Sequence, residues 1–232
     1  MNLSVVIPCF DEFERLPNAL AGALPSLRER LPGLELILVD DGSDDGTAGL
    51  LHELARREPF IKPLILPRNQ GKGRALAEGV ALSLGARVLI ADADFSAPIG
   101  ELSRLEAALD RGADVAIGSR AKRGAREIDQ PLHRVVMGKS FNLLVQSLFL
   151  PGIWDTQCGF KLFRGELARS LFAGLVTDGF AFDVEILWRA RNRGCRIEEV
   201  PVRWLNSDSS RVLPLRHSSQ MLRDLLRLRV RT

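Results

Sequence analysis

Two aspartates separated by one alanine follow an apolar run in the segment VLIADADFSAP, residues 88–98. Asp92 and Asp94 lie where the predicted strand ends, so their carboxylates can converge on one ion. Carboxylate oxygens are the ligands that Mg²⁺ and Mn²⁺ prefer, and a substrate phosphate commonly completes the coordination. So short a motif also arises by chance, and its place at the end of a strand is what favours a metal site.

A second acidic segment, VDDGSDDGT, occupies residues 39–47 after another apolar run. Its glycines permit a tight strand-to-helix turn, and a polar side chain between them can cap the helix that follows. A cap needs only one acceptor, so the consecutive Asp40 and Asp41 are in surplus. We interpret this surplus as a place that holds a ribose or a base.

Cationic side chains follow two further predicted strands. In RNQGKG, residues 68–73, Lys72 lies between two glycines and can approach phosphates, although a solvated lysine on a loop would look the same. The segment lacks the P-loop spacing GxxxxGK[ST], which argues against an ATPase. The stretch 119–139 is strongly basic, and within it Arg120 and Arg134 have the forked donors that suit a second phosphate.

The elements that position these segments alternate between strand and helix through the first half of the chain. Predicted buried strands are LSVVI (3–7), LELILV (34–39), IKPLIL (61–66), RVLIA (87–91) and ADVAIG (113–118). Helical periodicity covers 18–30, 47–57, 73–84 and 99–111. This alternation predicts an α/β fold, with a mostly parallel central sheet flanked by helices. Ligands of such sheets gather at the carboxyl ends of the strands, where all these polar segments would lie.

Composition and charge narrow the class of protein. The 232 residues are 46% hydrophobic, enough for one large domain, and 32 Lys and Arg against 29 Asp and Glu leave a net charge of only +3. Three widely spaced cysteines indicate neither a zinc site nor a disulfide framework, and favour a reducing compartment. No run of about 18 apolar residues and no secretory leader is evident. We expect a cytoplasmic protein with no nucleic-acid partner.

The C-terminal segment differs from the rest. Six arginines alternate with apolar residues between positions 211 and 232, a basic amphipathic pattern that suits either an anionic membrane surface or packing on the main domain. We therefore divide the chain into a single catalytic domain, residues 1–205, and a basic amphipathic segment, residues 206–232. A peripheral position on the cytoplasmic face of a membrane is the expectation.

Several motifs in order resemble the inverting nucleotide-diphosphosugar glycosyltransferases of family 2, which have the Rossmann-like GT-A fold. They are VIPCFDE, LVDDGSDDGT, RNQGKGRA and the DAD at 92–94. The second half, with GSR, DTQCGFKLF, GFAFDVEIL and EVPVRW, resembles the branch that glycosylates polyprenyl phosphates. Within that branch it is nearer the dolichyl-phosphate glucosyltransferases than the mannosyltransferases. The resemblance covers nearly the whole chain.

The resemblance implies a role for each matching residue. Residues implied to hold the nucleotide-sugar are Pro8, Glu12, Asp41, Lys72 and Asp92. Asp94, with Asp92, would hold a divalent ion, Mg²⁺ or Mn²⁺, on the diphosphate. Arg120 and Arg134 would hold the acceptor phosphate. Asp94 and Asp155 are the catalytic candidates, and whether Asp155 positions the acceptor or acts as a base is left open.

The expected reaction is transfer of glucose from UDP-glucose to a polyprenyl or dolichyl phosphate. In-line attack would invert the anomeric centre and give a β-linked product, and an acceptor phosphate that is already anionic needs no general base. The main alternative is a glycosyltransferase with a saccharide acceptor, which would need a base. A nucleotide-sugar-binding module without turnover is a second alternative. A haloacid-dehalogenase-type phosphatase is disfavoured because its aspartate pair follows the first strand, whereas this pair follows the fourth.

Overall fold

Alternating strands and helices fill the first half of the chain, as the sequence predicts. The computed structural model describes residues 1–128, 142–143, 145–205 and 224. In chain order, the elements of the first half are β1 (Leu3–Cys9), α1 (Leu16–Arg28), β2 (Leu34–Asp40), α2 (Thr47–Arg57), β3 (Ile61–Ile65), α3 (Lys72–Leu82), β4 (Arg87–Ile90), a 3₁₀ turn (Ile99–Glu101), α4 (Leu102–Asp110) and β5 (Val115–Ser119). The predicted bounds agree to within two residues when the 3₁₀ turn is counted with α4.

The second half adds elements that the periodicity of the sequence does not predict. They are β6 (Arg126–Ile128), β7 (Lys161–Arg164), α5 (Gly165–Ala173), α6 (Phe182–Asn192), β8 (Ile197–Pro201) and β9 (Arg203–Leu205). Strands β6 and β9 form a separate two-stranded ribbon. The four strands β6 to β9 have three to five residues each, too few for a clear alternation of apolar and polar positions.

The central sheet has seven strands in the order β3-β2-β1-β4-β7-β5-β8. All neighbours are parallel except β7, which runs antiparallel between β4 and β5 and pairs Lys161 with both Ile90 and Ile117. The mostly parallel sheet of the prediction is therefore confirmed. Because β7 is reversed, the segment that precedes it lies at the same edge as the segments that follow the parallel strands.

Helices cover both faces of this sheet, which explains why the strands are nearly continuous apolar runs. Successive residues of one strand enter different cores: Val5 and Ile7 pack with α1 and α4, while Val6 packs with α3, α5 and α6. Since a strand buried on both sides tolerates few polar residues, the polar groups concentrate at the strand ends.

Two predictions fall outside the described residues. Arg134 is one, and the amphipathic segment 206–232 is the other, apart from Asp224. Among the helices that the structure does describe, none is both long enough and apolar enough to cross a bilayer.

Candidate active site

A tight turn presents the two carboxylates of the DAD motif at the end of β4. The backbone N–H of Ser96 donates to Asp94 Oδ1 at 2.9 Å, and that of Phe95 donates to the Asp92 carbonyl at 3.1 Å. Phe95 has a φ of 47°, in the left-handed region that residues other than glycine rarely adopt. Such strained backbone clusters at functional sites. Both aspartates remain partly exposed at the sheet edge.

Lys72 compensates the charge of this turn. Its Nζ lies 2.5 Å from Asp92 Oδ1 and 5.9 Å from the centre of the Phe182 ring. Burial alone would lower the pKa of Lys72, but the charges of Asp92, Asp183 and Asp94 together raise that pKa above its usual value. The lysine is therefore a permanent cation at the carboxyl edge of the sheet, as predicted.

Gly159 forms the floor beneath Asp92. A methyl group on its Cα would overlap the Asp92 carboxylate, with that side chain's Oδ1 only 2.5 Å away. The segment before the antiparallel strand β7 thus sets where the carboxylate of Asp92 can lie. The glycine of DTQCGFKLF is required by this close approach, which the sequence alone did not reveal.

The two glycines around Lys72 serve packing against another segment. Gly71 has a φ of +103°, and a methyl group there would lie 2.5 Å from the Asp178 carbonyl oxygen. At Gly73, a methyl group would lie 2.6 Å from the Thr177 carbonyl oxygen. In the structure these glycines make room for residues 177–178. That they also give a phosphate access to Lys72 stays a prediction.

Asp40 and Asp41 are both buried but have different partners. Asp41 accepts the backbone N–H of Gln70 and of Gly71, each at 2.8 Å, and so fixes the loop before α3. Burial raises the pKa of Asp41, and the two N–H donors oppose that shift. Asp40 binds Ser43 through Oδ1, while its Oδ2 has no hydrogen-bond partner among the described residues. Of the two, Asp40 has a carboxylate oxygen that lacks a partner among the described residues, and this oxygen is buried.

The segment after β1, which contains Glu12, is joined to the turn after β2. The backbone N–H groups of Asp11, Glu12 and Phe13 donate to Ser43 Oγ, Thr47 Oγ1 and Asp45 Oδ2, at 2.9, 2.9 and 3.1 Å. Asp45 also accepts the N–H of Thr47, the first residue of α2, at 3.0 Å, whereas the N-cap position itself is occupied by Gly46. The polar residues of SDDGT therefore hold two loops together at the sheet edge.

Pro8 and Glu12 lie beside this junction. Pro8 is the penultimate residue of β1, opposite Val39 of β2, and is partly exposed. The Glu12 side chain forms an ion pair with Arg15. Their predicted contact with a nucleoside stays a prediction, as does that of Asp41.

Asp155 and Arg120 form an ion pair at the end of β5. Arg120 donates to the Asp155 carboxylate from its backbone N–H, Nε and a terminal nitrogen, at 2.8, 2.8 and 2.9 Å, and stacks 4.8 Å above the Trp204 ring. Burial alone would raise the pKa of Asp155, but the charge and hydrogen bonds of Arg120 hold it below its usual range. The catalytic candidate and the acceptor-phosphate candidate are thus direct partners.

A buried carboxylate supports this pair from below. Glu199 in β8 accepts the Asp155 backbone N–H at 2.9 Å and the Ser119 hydroxyl at 3.0 Å, and it lies 3.5 Å from Lys122. Glu199 therefore links the end of β5 to the segment before β7. Glu199 begins the motif EVPVRW, and nothing in that motif alone indicates this contact.

A second buried ion pair, which sequence reasoning did not identify, lies behind Lys72. Lys161 is fully buried, forms an ion pair with Asp183 at the start of α6, and donates to the Cys158 carbonyl at 2.6 Å. Burial raises the pKa of Asp183, and the charges of Lys161 and Lys72 oppose that shift. The signal that could have found this pair is a lysine and an aspartate inside otherwise apolar stretches.

The donor set at the end of β4 fits a metal ion that a ligand helps to hold. Mg²⁺ and Mn²⁺ are commonly bound through one or two carboxylates, with substrate phosphates and water completing the shell. Asp92 and Asp94 provide those two, and the described residues contain no cluster of three or more potential ligands that could hold an ion by themselves. Since Asp92 already forms an ion pair with Lys72, Asp94 is the aspartate whose carboxylate can bind the ion without breaking such a pair.

This sheet, with an aspartate pair at the end of its fourth strand, defines the GT-A class of glycosyltransferase. The profile described as Glycosyl transferase family 2 matches residues 4–172, and the chain belongs to that family. It is therefore a glycosyltransferase.

Two relatives are similar in sequence to this chain over most of its length. Dolichyl-phosphate beta-glucosyltransferase of Dictyostelium discoideum is 36% identical over 242 residues, 99% of this chain and 74% of that protein. Polyprenol monophosphomannose synthase of Mycolicibacterium smegmatis is 36% identical over 203 residues, 85% of this chain and 75% of that protein.

A solved structure confirms the fold. The crystal structure of glucosyl-3-phosphoglycerate synthase from Mycobacterium tuberculosis, in complex with Mn²⁺, UDP-glucose and phosphoglyceric acid, superposes with a TM-score of 0.73. The alignment covers 97% of this chain and 78% of that one, at 21% sequence identity. The predicted GT-A fold is thus confirmed.

Replacing Gly159 with alanine should displace the Asp92 carboxylate while leaving the fold intact, because the group in its way is the end of a flexible side chain. A misplacement of about 1 Å can cost about 100-fold in rate. We expect kcat/KM for the sugar donor to fall by about 10- to 100-fold. Gly100→Ala, where a methyl group meets open space, is the control and should change little. Equal rates for both variants would contradict the role given to Gly159.

Asp155 should make the free energy of unfolding depend on pH in the acidic range. Its pKa is lower in the folded chain than in the unfolded chain, so the unfolded state binds more protons and stability falls as pH falls below about 4. Breaking a buried ion pair costs about 3 kcal/mol. In urea unfolding at pH 6, Asp155→Asn should have a free energy of unfolding lower than that of wild type by about this amount. The difference between the two should narrow towards pH 3. A difference independent of pH would contradict this assignment. The control is Asp110→Asn, at an exposed ion pair with Arg87.

Proposed function

We propose that this glycosyltransferase transfers a hexose, most simply glucose from UDP-glucose, to a polyprenyl phosphate with inversion at the anomeric carbon. The observation that carries the proposal is the engagement of Asp155. This carboxylate accepts three N–H groups of Arg120, and its pKa is held low, which makes it a poor general base. An acceptor that is already ionised suits such a site, and an acceptor hydroxyl does not.

The donor side of the proposal rests on the DAD turn. Asp92 and Asp94 are the residues that would hold the divalent ion, which when bound offsets the negative charge of the departing diphosphate. Lys72 orients Asp92 and adds a fixed positive charge beside the same oxygens. Pro8, Glu12 and Asp41 are proposed to contact the nucleoside, as the resemblance implies. The glucosyl-3-phosphoglycerate synthase crystallised with UDP-glucose and Mn²⁺ supports this choice of donor and metal.

The acceptor side is proposed to lie at Arg120. Asp155 and Trp204 fix the plane of its guanidinium, so it can place a phosphate for attack opposite the diphosphate. Arg134 is proposed to share this phosphate, as the resemblance implies. The names of the two relatives, which include dolichyl-phosphate and polyprenol, support a lipid phosphate as the acceptor.

A membrane surface is the setting that such an acceptor requires. We propose that the basic segment 206–232 contacts anionic lipid on the cytoplasmic face, because its arginines alternate with apolar residues.

The proposal is tested by transfer of labelled sugar into an organic-extractable lipid. The reaction contains purified chain, undecaprenyl phosphate, Mg²⁺ or Mn²⁺ and a panel of UDP- and GDP-sugars. We expect labelled lipid that depends on the divalent ion and is strongest with UDP-glucose. Asp94→Asn should lower the rate by about 100-fold or more, because a carboxylate ligand is lost.

The matched control is Asp110→Asn on α4, which should keep the wild-type rate because this aspartate only pairs with Arg87 at the surface. Label that appears without a divalent ion, or equally in the Asp94→Asn variant, would contradict the role of the DAD turn. No labelled lipid with any donor would contradict the proposed acceptor.

A further inference from the structure

The loop before α6 is held by one buried carboxylate. Glu185 is fully buried and accepts the backbone N–H of Val176 at 3.0 Å and that of Thr177 at 2.8 Å. It also accepts the Thr177 hydroxyl at 2.6 Å and Arg189 Nε at 2.7 Å. Both oxygens are thus used, and the position of residues 176–177 depends on this side chain.

The same loop holds the start of α3. The carbonyl oxygen of Asp178 accepts the N–H of Gly73 at 2.7 Å and of Arg74 at 3.2 Å, so it satisfies two groups at the helix N-terminus. The backbone of residues 177–178 also packs directly on Gly71 and Gly73, where no Cβ would fit. A shift of the loop would therefore shift the first turn of α3.

Lys72 lies within this clamped turn. Asp41 holds the backbone on its N-terminal side, at Gln70 and Gly71, and Asp178 holds it on its C-terminal side. With the backbone fixed on both sides, Lys72 Nζ reaches Asp92 Oδ1 at 2.5 Å. The direction of this one side chain therefore depends on a carboxylate more than 100 residues away in the sequence.

We propose that Glu185 is a positioning residue for the sugar-nucleotide site, acting through the loop 176–178 and Lys72. The proposal rests on the proposed function, in which Lys72 and Asp92 face the donor. It also assigns a role to the GFAFDVEIL motif, whose glutamate is fully buried. Glu185 is fully buried, so its effect on the donor is carried by Lys72 rather than by direct contact.

Glu35 is a matched control for a merely structural role. It is equally buried, and it accepts from a hydroxyl, a backbone N–H and a cation, namely Ser4 Oγ at 2.5 Å, Leu84 N at 2.6 Å and Lys62 Nζ at 2.5 Å. It lies near the start of β2, whereas Lys72 and the DAD turn follow the carboxyl ends of β3 and β4. A variant there perturbs a buried carboxylate of the same kind at the opposite edge of the sheet.

The test is a double-mutant cycle on UDP binding, measured by calorimetry with Mn²⁺ and no acceptor. Glu185→Gln should weaken UDP binding by about tenfold in the wild-type background and by less than about twofold in the Lys72→Met background, since an effect carried by Lys72 disappears with it. Glu35→Gln should lower thermal stability similarly but leave UDP affinity unchanged. An equal effect of Glu185→Gln in both backgrounds, or an equal effect of Glu35→Gln on affinity, would overturn the proposal.

A second pair of variants covers the case in which Glu185→Gln does not fold. Thr177→Val removes only the hydroxyl bond to Glu185, and Thr177→Ser keeps it. We expect weaker UDP binding for valine and near wild-type binding for serine, whereas equal binding by the two would overturn the proposal. If the wild-type chain binds no UDP, the proposed donor fails and the inference fails with it. If the wild-type chain binds UDP and neither Glu185→Gln nor Thr177→Val changes the UDP affinity, only the positioning role is wrong.

Discussion

Negative charge gathered at one edge of a sheet is the constraint on which this site depends. Carboxylates that lie close together raise each other's free energy unless cations lie between them. Here the compensating cations come from distant parts of the chain, since Lys72 meets Asp92 and Arg120 meets Asp155 across separations of 20 and 35 residues. The site is therefore formed only when the whole sheet is folded.

The reversed strand β7 makes this compensation possible. A parallel strand would send the segment 155–160 to the opposite edge of the sheet, whereas β7 starts at the edge where β4 and β5 end. Asp155 then meets Arg120, and Gly159 lies under Asp92. Lys161, the first residue of β7, pairs with Asp183 of α6 and ties that helix to the same edge. The residues proposed to bind the donor and the acceptor are thus assembled around one strand.

The sequence predicted the parallel part of the fold well, because five buried apolar runs alternate with helical periodicity and turn residues. It also placed Asp92, Lys72 and Arg120 at one edge from strand polarity alone. It could not show that Asp155 and Arg120 are partners, because the order and direction of the short strands after residue 120 are set by tertiary contacts. The same reason hides Glu199, which accepts the backbone N–H of Asp155, 44 residues away. It also hides Glu185, because the loop that Glu185 holds contacts the start of α3, more than 100 residues away. The two glycines beside Lys72 were explained by phosphate access, and their packing against residues 177–178 is visible only in three dimensions.

The central claim is that the acceptor arrives already ionised, so that no residue has to remove a proton. The most direct measurement compares initial rates of glucose transfer from UDP-glucose to a polyprenyl phosphate, to the polyprenol of the same length and to a free saccharide, with the same divalent ion. The account predicts transfer to the phosphate and a rate at least about 100-fold lower with either hydroxyl acceptor, because it assigns no residue as a general base and such a base typically contributes about that much. Comparable or faster transfer to the alcohol or the saccharide would contradict it.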